Sequence, residues 1–246
     1  MNPFPTRINV FILLIFITLG NASHSLASDP IIIGTISYNP PFELTTNDQF
    51  SGFEVEIMRV VCVRIAASCK FQRVLFHQIP ELLDENKIDL GLAAIIITKP
   101  RKDDFLFSIP YKVSHLQFMT LTNSTIKSVE ELQNEPIGAY KKSPSIDFLN
   151  QLFQNKATIK TYETSMDMLA ALNNQEVKAI ITNPEQAMYW ISNSRNYQLL
   201  GNEYPVGEGY GIMASKNKGH LIDQINDALT KMENDGTLLK IYRDWL

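Results

Sequence analysis

The stretch "KIDLGLAAIIITKPRKDDFLFSIPY" (residues 87–111) is where the fold is decided. Six apolar residues, Leu92 to Ile97, run straight into Thr98, Lys99, Pro100 and Arg101. A short apolar run closed by a polar turn reads as a buried strand, here "DLGLAAII" (89–96). A cationic cluster at the mouth of such a strand is either a solvated turn or a group that holds an anion at the end of a sheet.

On either side of this strand, short apolar segments alternate with amphipathic helices, the mark of α/β construction. "IIIGTI" (31–36) is a strand that ends at the turn-rich "SYNPPFE". "GFEVEIMRVVCVRIAAS" (52–68) is a helix with Val55, Met58, Cys62 and Ile65 on one face, at spacings of three and four. "CKFQRV" (69–74) is a strand and "IPELLDENK" (79–87) a short helix, so the opening strand completes a β-α-β-α-β unit.

A second unit of the same architecture follows without repeating the sequence. "LQFMTL" (116–121) is a strand, and "SVEEL" (128–132) starts a helix with a capping box, Ser128 reaching forward and Glu131 back. "EPIGAY" (135–140), "ATIKTY" (157–162) and "VKAIIT" (177–182) are strands. Between and after them lie the helices "SIDFLNQLFQNK" (145–156), "SMDMLAALNNQ" (165–175) and "NPEQAMYWISN" (183–193). Asn183 suits the N-cap of the last and Pro184 its first helical position. "GYGIMAS" (209–215) returns as a strand, and two helices divided by Gly236 finish the chain. The expected fold is therefore α/β with two lobes, each a sheet flanked by helices. Strands near 116–121 and 209–215 are the crossovers that hinge them. Residues 28–115 with 208–246 form the first lobe and 116–207 the second. Ligands of α/β lobes bind beyond the carboxyl ends of strands, which puts the site in the cleft.

The 246 residues are 45% hydrophobic and 20% charged, an ordinary globular composition. A net charge of −4 with no basic patch excludes a nucleic-acid partner. Residues 1–27 read as a signal peptide: Arg7, the apolar "INVFILLIFITL" (8–19), and Ser25-Leu26-Ala27 as a small-x-small cleavage site. Cleavage near Ala27 removes Arg7 and takes the charge from −4 to −5. The mature chain is then exported and soluble. Export bears on Cys62 and Cys69, because an oxidising compartment favours pairing them. Seven residues of straight helix rise about 10 Å, too far for a disulfide, so pairing requires the helix to end near Ala67 or Ser68. Two buried thiols are the other reading. His77, His115 and His220 show no ligand spacing, and no metal set, cofactor motif or nucleophile–histidine arrangement is visible.

Five segments, in this order, resemble the bacterial extracellular solute-binding proteins that serve polar amino-acid ABC importers. They are "IIIGTISYNPPFEL", "SGFEVEIMRVVCVRIAASC", "KIDLGLAAIIITKPRKDDFLFSIPY", "SVEELQNEPIGAY" and "GEGYGIMASKNKG…INDALTKMENDGTLLKIYRDWL". The likeness covers residues 30–246. The cysteine spacing and "GEGYG" look most like the histidine and lysine/arginine/ornithine binders, which carry a disulfide at the matching place. The resemblance implies a two-lobe periplasmic flytrap that works as a monomer, closes on a small ligand with a carboxylate, and delivers it to an inner-membrane ABC permease.

It also implies roles for particular residues. Arg101 matches the arginine of the family's "T-x-x-R" turn, which clamps the ligand carboxylate through its planar fork. Ser143 in "KKSPS" matches a hydroxyl that meets the same carboxylate at a helix N-terminus. Phe76 and Tyr140 match wall positions. Asn39 aligns with the aromatic stacking position, with Tyr38 beside it. Where the family fixes the ligand ammonium with two carboxylates, this chain has Ile36 and Asn183. Where the family has small or hydroxylated residues before the arginine, it has Ala93, Ala94 and Ile96. The pocket is expected to keep its anion clamp and lose much of its ammonium clamp.

The same resemblance admits a periplasmic enzyme like the cyclohexadienyl dehydratases, with Glu43, Glu54, Glu185 or Glu208 as the cleft acid. It also admits a module that reports ligand to a membrane sensor. The reading adopted is a binder, not an enzyme.

Overall fold

The computed structural model describes residues 29–246, so the expected signal peptide lies outside the described residues. The first unit runs β1 (Ile31–Thr35), the small strands β2 (Tyr38–Asn39), β3 (Glu43–Thr46) and β4 (Gln49–Ser51), α1 (Phe53–Arg64), β5 (Cys69–Arg73), α2 (Ile79–Asp84), β6 (Leu90–Leu92), α3 (Lys99–Asp104) and β7 (Leu106–Phe107). The second runs β8 (His115–Leu121), β9 (Pro136–Tyr140), α4 (Pro144–Leu152), β10 (Thr158–Tyr162), α5 (Ser165–Asn173), β11 (Ala179–Thr182), α6 (Pro184–Asn193) and β12 (Tyr197–Pro205). The chain then returns through β13 (Met213–Ala214), α7 (Gly219–Asn234) and α8 (Thr237–Trp245).

These strands form two five-stranded sheets, ordered β5-β1-β6-β13-β7 and β10-β9-β11-β8-β12. In the first, β1 pairs in parallel with β5 and β6, while β13 is antiparallel to β6 and β7. In the second, β9 is parallel to β10 and β11, and β8 is antiparallel to β11 and β12. Two chain segments link the sheets and run side by side. Tyr111 N–H donates to the Tyr210 carbonyl (3.1 Å), Tyr210 N–H to Lys112 (2.8 Å) and Val206 N–H to Ser114 (3.1 Å). The expected hinge strands differ in outcome: β13 holds only two residues of 209–215, while β8 covers all of 116–121 but is wholly part of the second sheet.

Local sequence accounts for most element ends. Asn183 caps α6 by accepting the Gln186 N–H at 2.8 Å, with Pro184 following. Gly236, at φ 79°, takes the left-handed conformation that divides α7 from α8. α1 stops at Arg64, and the chain turns back so that Cys62 and Cys69 form a disulfide between α1 and β5. The capping box at Ser128 does not form. Glu131 reaches back to the Lys127 N–H (3.0 Å), and the segment makes only a 3₁₀ turn over Glu130–Leu132.

The opening stretch differs most from its reading. β6 ends at Leu92, because Ala94 takes φ 45°. A left-handed alanine is strained by roughly 1–3 kcal/mol. Its N–H, turned inward, meets both oxygens of Glu54 at 2.9 and 3.0 Å, which offsets that strain. The turn after it is itself a helix, α3, capped by Thr98.

Candidate functional site

A cavity of about 60 Å³ lies between the sheets and takes its walls from both. Ile36, Asn39, Phe76, Ala93, Ala94 and Ile96 come from the first unit. Tyr140, Ser143, Pro144, Ser145, Ile181, Thr182 and Asn183 come from the second, with Leu116 and Tyr210 near the crossings. Each wall lies where the fold puts it, just beyond a strand end: Ile36 after β1, Ala93 after β6, Ser143 after β9, Asn183 after β11. Left-handed Ala94 brings the apolar run after β6 across the cavity wall rather than onward as a strand.

The structure brings together Asn39, Phe76, Ile96, Tyr140, Ser143 and Asn183 on one cavity. Arg101 and Tyr38 are not among its lining residues. Arg101 lines an adjoining groove that shares Ser143 and Pro144 with the cavity. Its guanidinium donates to the Ile96 carbonyl (3.0 Å) and stands over the Phe76 ring, 5.6 Å from the centroid. Burial lowers its pKa to about 10, against the opposing charge of Asp147, so it stays cationic at neutral pH. Phe76 in turn lies 5.9 Å from the Tyr140 ring, making a stack of cation, aromatic and phenol along one side. Tyr38 lines a second adjoining groove, and its carbonyl accepts from the Ser165 hydroxyl at 2.8 Å.

The polar groups around the cavity are largely engaged with one another. Asn39 Oδ1 accepts from Gln186 Nε2 (2.6 Å), and Asn39 Nδ2 donates to Glu43 Oε2 (2.9 Å). The Thr182 hydroxyl donates to Gln186 Oε1, and the Ser143 and Ser145 hydroxyls bond to each other. Asn183 Oδ1 is held by its cap on α6. Tyr140 Oη is buried beside Ser165 and Gln186, and burial pushes its pKa up to about 12 against the hydrogen bonds of those two side chains. Behind Asn39, Glu43 and Glu54 lie side by side, both without exposure. Burial, then the charge of Glu54, holds the Glu43 carboxyl well above its ordinary range. Gln186 and the Glu43–Glu54 pair are what sequence reasoning missed as a unit. Glu43 and Glu54 stood out only as unassigned carboxylates, and nothing local links either to a glutamine in α6.

Chemically, the arrangement offers a half-open, mostly apolar space. Its side toward the α4 N-terminus adjoins the groove that holds both Arg101 and Asp147, and no acidic side chain lines the cavity itself. Among the described residues no group of three or more His, Cys, Asp or Glu is placed to hold a metal ion.

Two α/β lobes around a cavity at their strand ends define a two-lobe solute-binding protein. The chain belongs to the bacterial extracellular solute-binding proteins, family 3, whose profile matches residues 31–246. The arginine 3rd transport system periplasmic binding protein from Legionella pneumophila is 35% identical, with a TM-score of 0.84 over 88% of this chain and 99% of that one. An ancestral arginine-binding protein bound to arginine is 27% identical, with a TM-score of 0.83 over 89% and 99%. The putative ABC transporter arginine-binding protein 2 of Escherichia coli strain K12 is 23% identical over 95% of this chain and 98% of its own. No helix among the described residues is long and apolar enough to cross a membrane.

Proposed function

We propose that this solute-binding protein captures an amino acid or related small carboxylate between its lobes and delivers it, as an exported monomer, to an ABC permease. The observation that carries the reading is the cavity shared by both sheets, with the α4 N-terminus and Arg101 at one side. Arg101 and Ser143 are the carboxylate-holding pair. Both line the groove that adjoins the cavity, so a ligand seated against Ser143 has the guanidinium fork beside it, with Phe76 and Tyr140 as the wall. The lobes divide at residues 28–115 with 208–246, and 116–207, in keeping with the strands each sheet contains. Residues 1–27 direct export to the periplasm and are removed.

Binding rather than catalysis is favoured by where the carboxylates sit. None of Glu43, Glu54, Glu185 and Glu208 lines the cavity. Glu185 is paired with Lys112 and Glu208 with Lys102, while Glu43 and Glu54 serve the buried network behind Asn39. A thermal-shift screen of amino acids and small carboxylates tests the function. A ligand at about 100 times its Kd should stabilise by about 2.7 kcal/mol, and Arg101→Ala should abolish the shift. A screen in which no small carboxylate raises the melting temperature sinks the reading.

A further inference from the structure

Every amino acid brings the same carboxylate and ammonium, so what a cleft distinguishes is the side chain. The body of this cavity is lined by Ile36, Ala93, Ala94, Ile96, Leu116 and Ile181, and among the described residues no charged side chain of either sign lines it. A cationic tip held against such walls loses hydration and gains no counter-ion. An aromatic face is the other seat a cation can use. Phe76 already carries the Arg101 guanidinium 5.6 Å from its centroid, where a second cation would meet the first. Tyr140 is tilted against that same Phe76 ring, and Tyr210 is buried with its ring edge-on to Phe42.

A longer side chain leaves the cavity through one of the adjoining grooves, and neither offers an unopposed anion. The Arg101 groove sets Arg101 and Lys142 against Asp147, whose charge already bears on Arg101. The Tyr38 groove sets Arg73 beside Glu163, and Glu163 is paired with Lys141 at 2.8 Å. Each route therefore meets more positive than negative charge. Ile36, just beyond β1, lines both the cavity and the Tyr38 groove. A side chain leaving by that route passes it, and isoleucine has no atom that can accept from a cation.

We propose that the cleft selects amino acids with uncharged side chains and rejects cationic ones, and that Ile36 is the specificity-determining residue at the passage to the Tyr38 groove. This rests on the carboxylate-binding reading above and narrows its ligand class.

The test is calorimetry of the protein with citrulline and arginine, with norleucine and lysine, and with glutamine. Within each pair the shape and the amino-acid head are nearly the same, so the ratio of affinities reads the side-chain charge. Citrulline should bind more tightly than arginine, and norleucine more tightly than lysine, by about tenfold or more. Ile36→Asp places a carboxylate at the passage, and Ile36→Asn places the same shape there without the charge. The affinity for arginine relative to citrulline should rise about tenfold in Ile36→Asp and far less in Ile36→Asn. A residue that only packs would weaken all five ligands alike in both variants. Where the aspartate variant does not fold, Ile36→Thr keeps the β-branch and offers a hydroxyl oxygen, and it should move the ratio in the same direction. Arginine matching or exceeding citrulline, or lysine norleucine, in the wild type overturns the inference and leaves the binding function standing. So does an unaltered ratio in Ile36→Asp, or in Ile36→Thr where that variant replaces it. Binding of none of the five also overturns it, and the wider thermal-shift screen then decides the function separately.

Discussion

Glu43 and Glu54 sit together with neither side chain reaching water, so their proton count is part of the fold. Glu54 accepts the Ala94 N–H and the Tyr111 hydroxyl, while Glu43 accepts from Asn39 Nδ2 and shares a hydrogen bond with Glu54 that needs a proton on one of the two. The proton of the pair therefore belongs on Glu43, whose pKa burial and the neighbouring charge both raise. The folded protein keeps this proton at pH values where the unfolded chain has lost it. Stability from Glu43 is thus full below the ordinary carboxyl value near 4.5 and is lost as pH rises through the raised one. Glu43→Gln mimics the protonated form at every pH. The wild-type unfolding free energy, minus that of the variant, should fall by about 1.4 kcal/mol per pH unit across that window. Denaturant titrations at several pH values that give a flat difference would place the proton elsewhere. Glu54→Gln, which trades an acceptor of the Ala94 N–H for a weaker one, should cost about 2 kcal/mol at neutral pH.

Among the elements, α1 and β5 are joined by the Cys62–Cys69 bond across a short connection. Closing a loop of this length stabilises by about 2.5 kcal/mol in the chain-entropy account. Replacing both cysteines with serine should lower the melting temperature by about 5–10 °C, and calorimetry of the unreduced pair is the comparison. Elements of this kind were largely legible in the sequence, because the atoms that make them are neighbours. Asn183 finds the Gln186 N–H three residues on, and Gly236 needs only its own backbone freedom. The end of β6 was not legible. "LGLAAIII" has the composition of one long strand, and it stops at Leu92 because the Ala94 N–H finds Glu54, 40 residues away. The same distance effect separates the site residues. Phe76, Ser143 and Asn183 follow strand ends, Tyr140 is the last residue of β9, and all four could be placed from topology together with the family likeness. Gln186, 147 residues from Asn39, could not.

At the scale of the whole molecule, the two lobes are fastened by their own side chains. Gln186, fully buried, bridges Thr182 on its own lobe to Asn39 across the cleft, and Asn39 continues to Glu43. Ser165 reaches the Tyr38 carbonyl at 2.8 Å, and Lys112 in the first crossing pairs with Glu185 of α6 at 2.5 Å. Where the family likeness leads one to expect an aromatic ring stacking on ligand, Asn39 instead spends its amide on the opposite lobe. Part of the closing energy is therefore built into the chain and does not wait for ligand. Truncating Gln186 exposes the consequence, since Gln186→Ala leaves Asn39 Oδ1 and the Thr182 hydroxyl unpaired when closed but hydrated when open. Losing a bridge of about 1–3 kcal/mol should shift the closed-to-open ratio by roughly 5- to 150-fold. Small-angle scattering of the ligand-free variant should then report a larger radius of gyration than wild type. Its apparent affinity for the ligand that stabilises the wild type should drop in proportion to the lost closed fraction, because ligand binding must now supply the closing energy. A variant that keeps the wild-type scattering curve and the wild-type affinity would mean that the Asn39–Gln186 bridge contributes nothing to closure, and that ligand alone draws the lobes together.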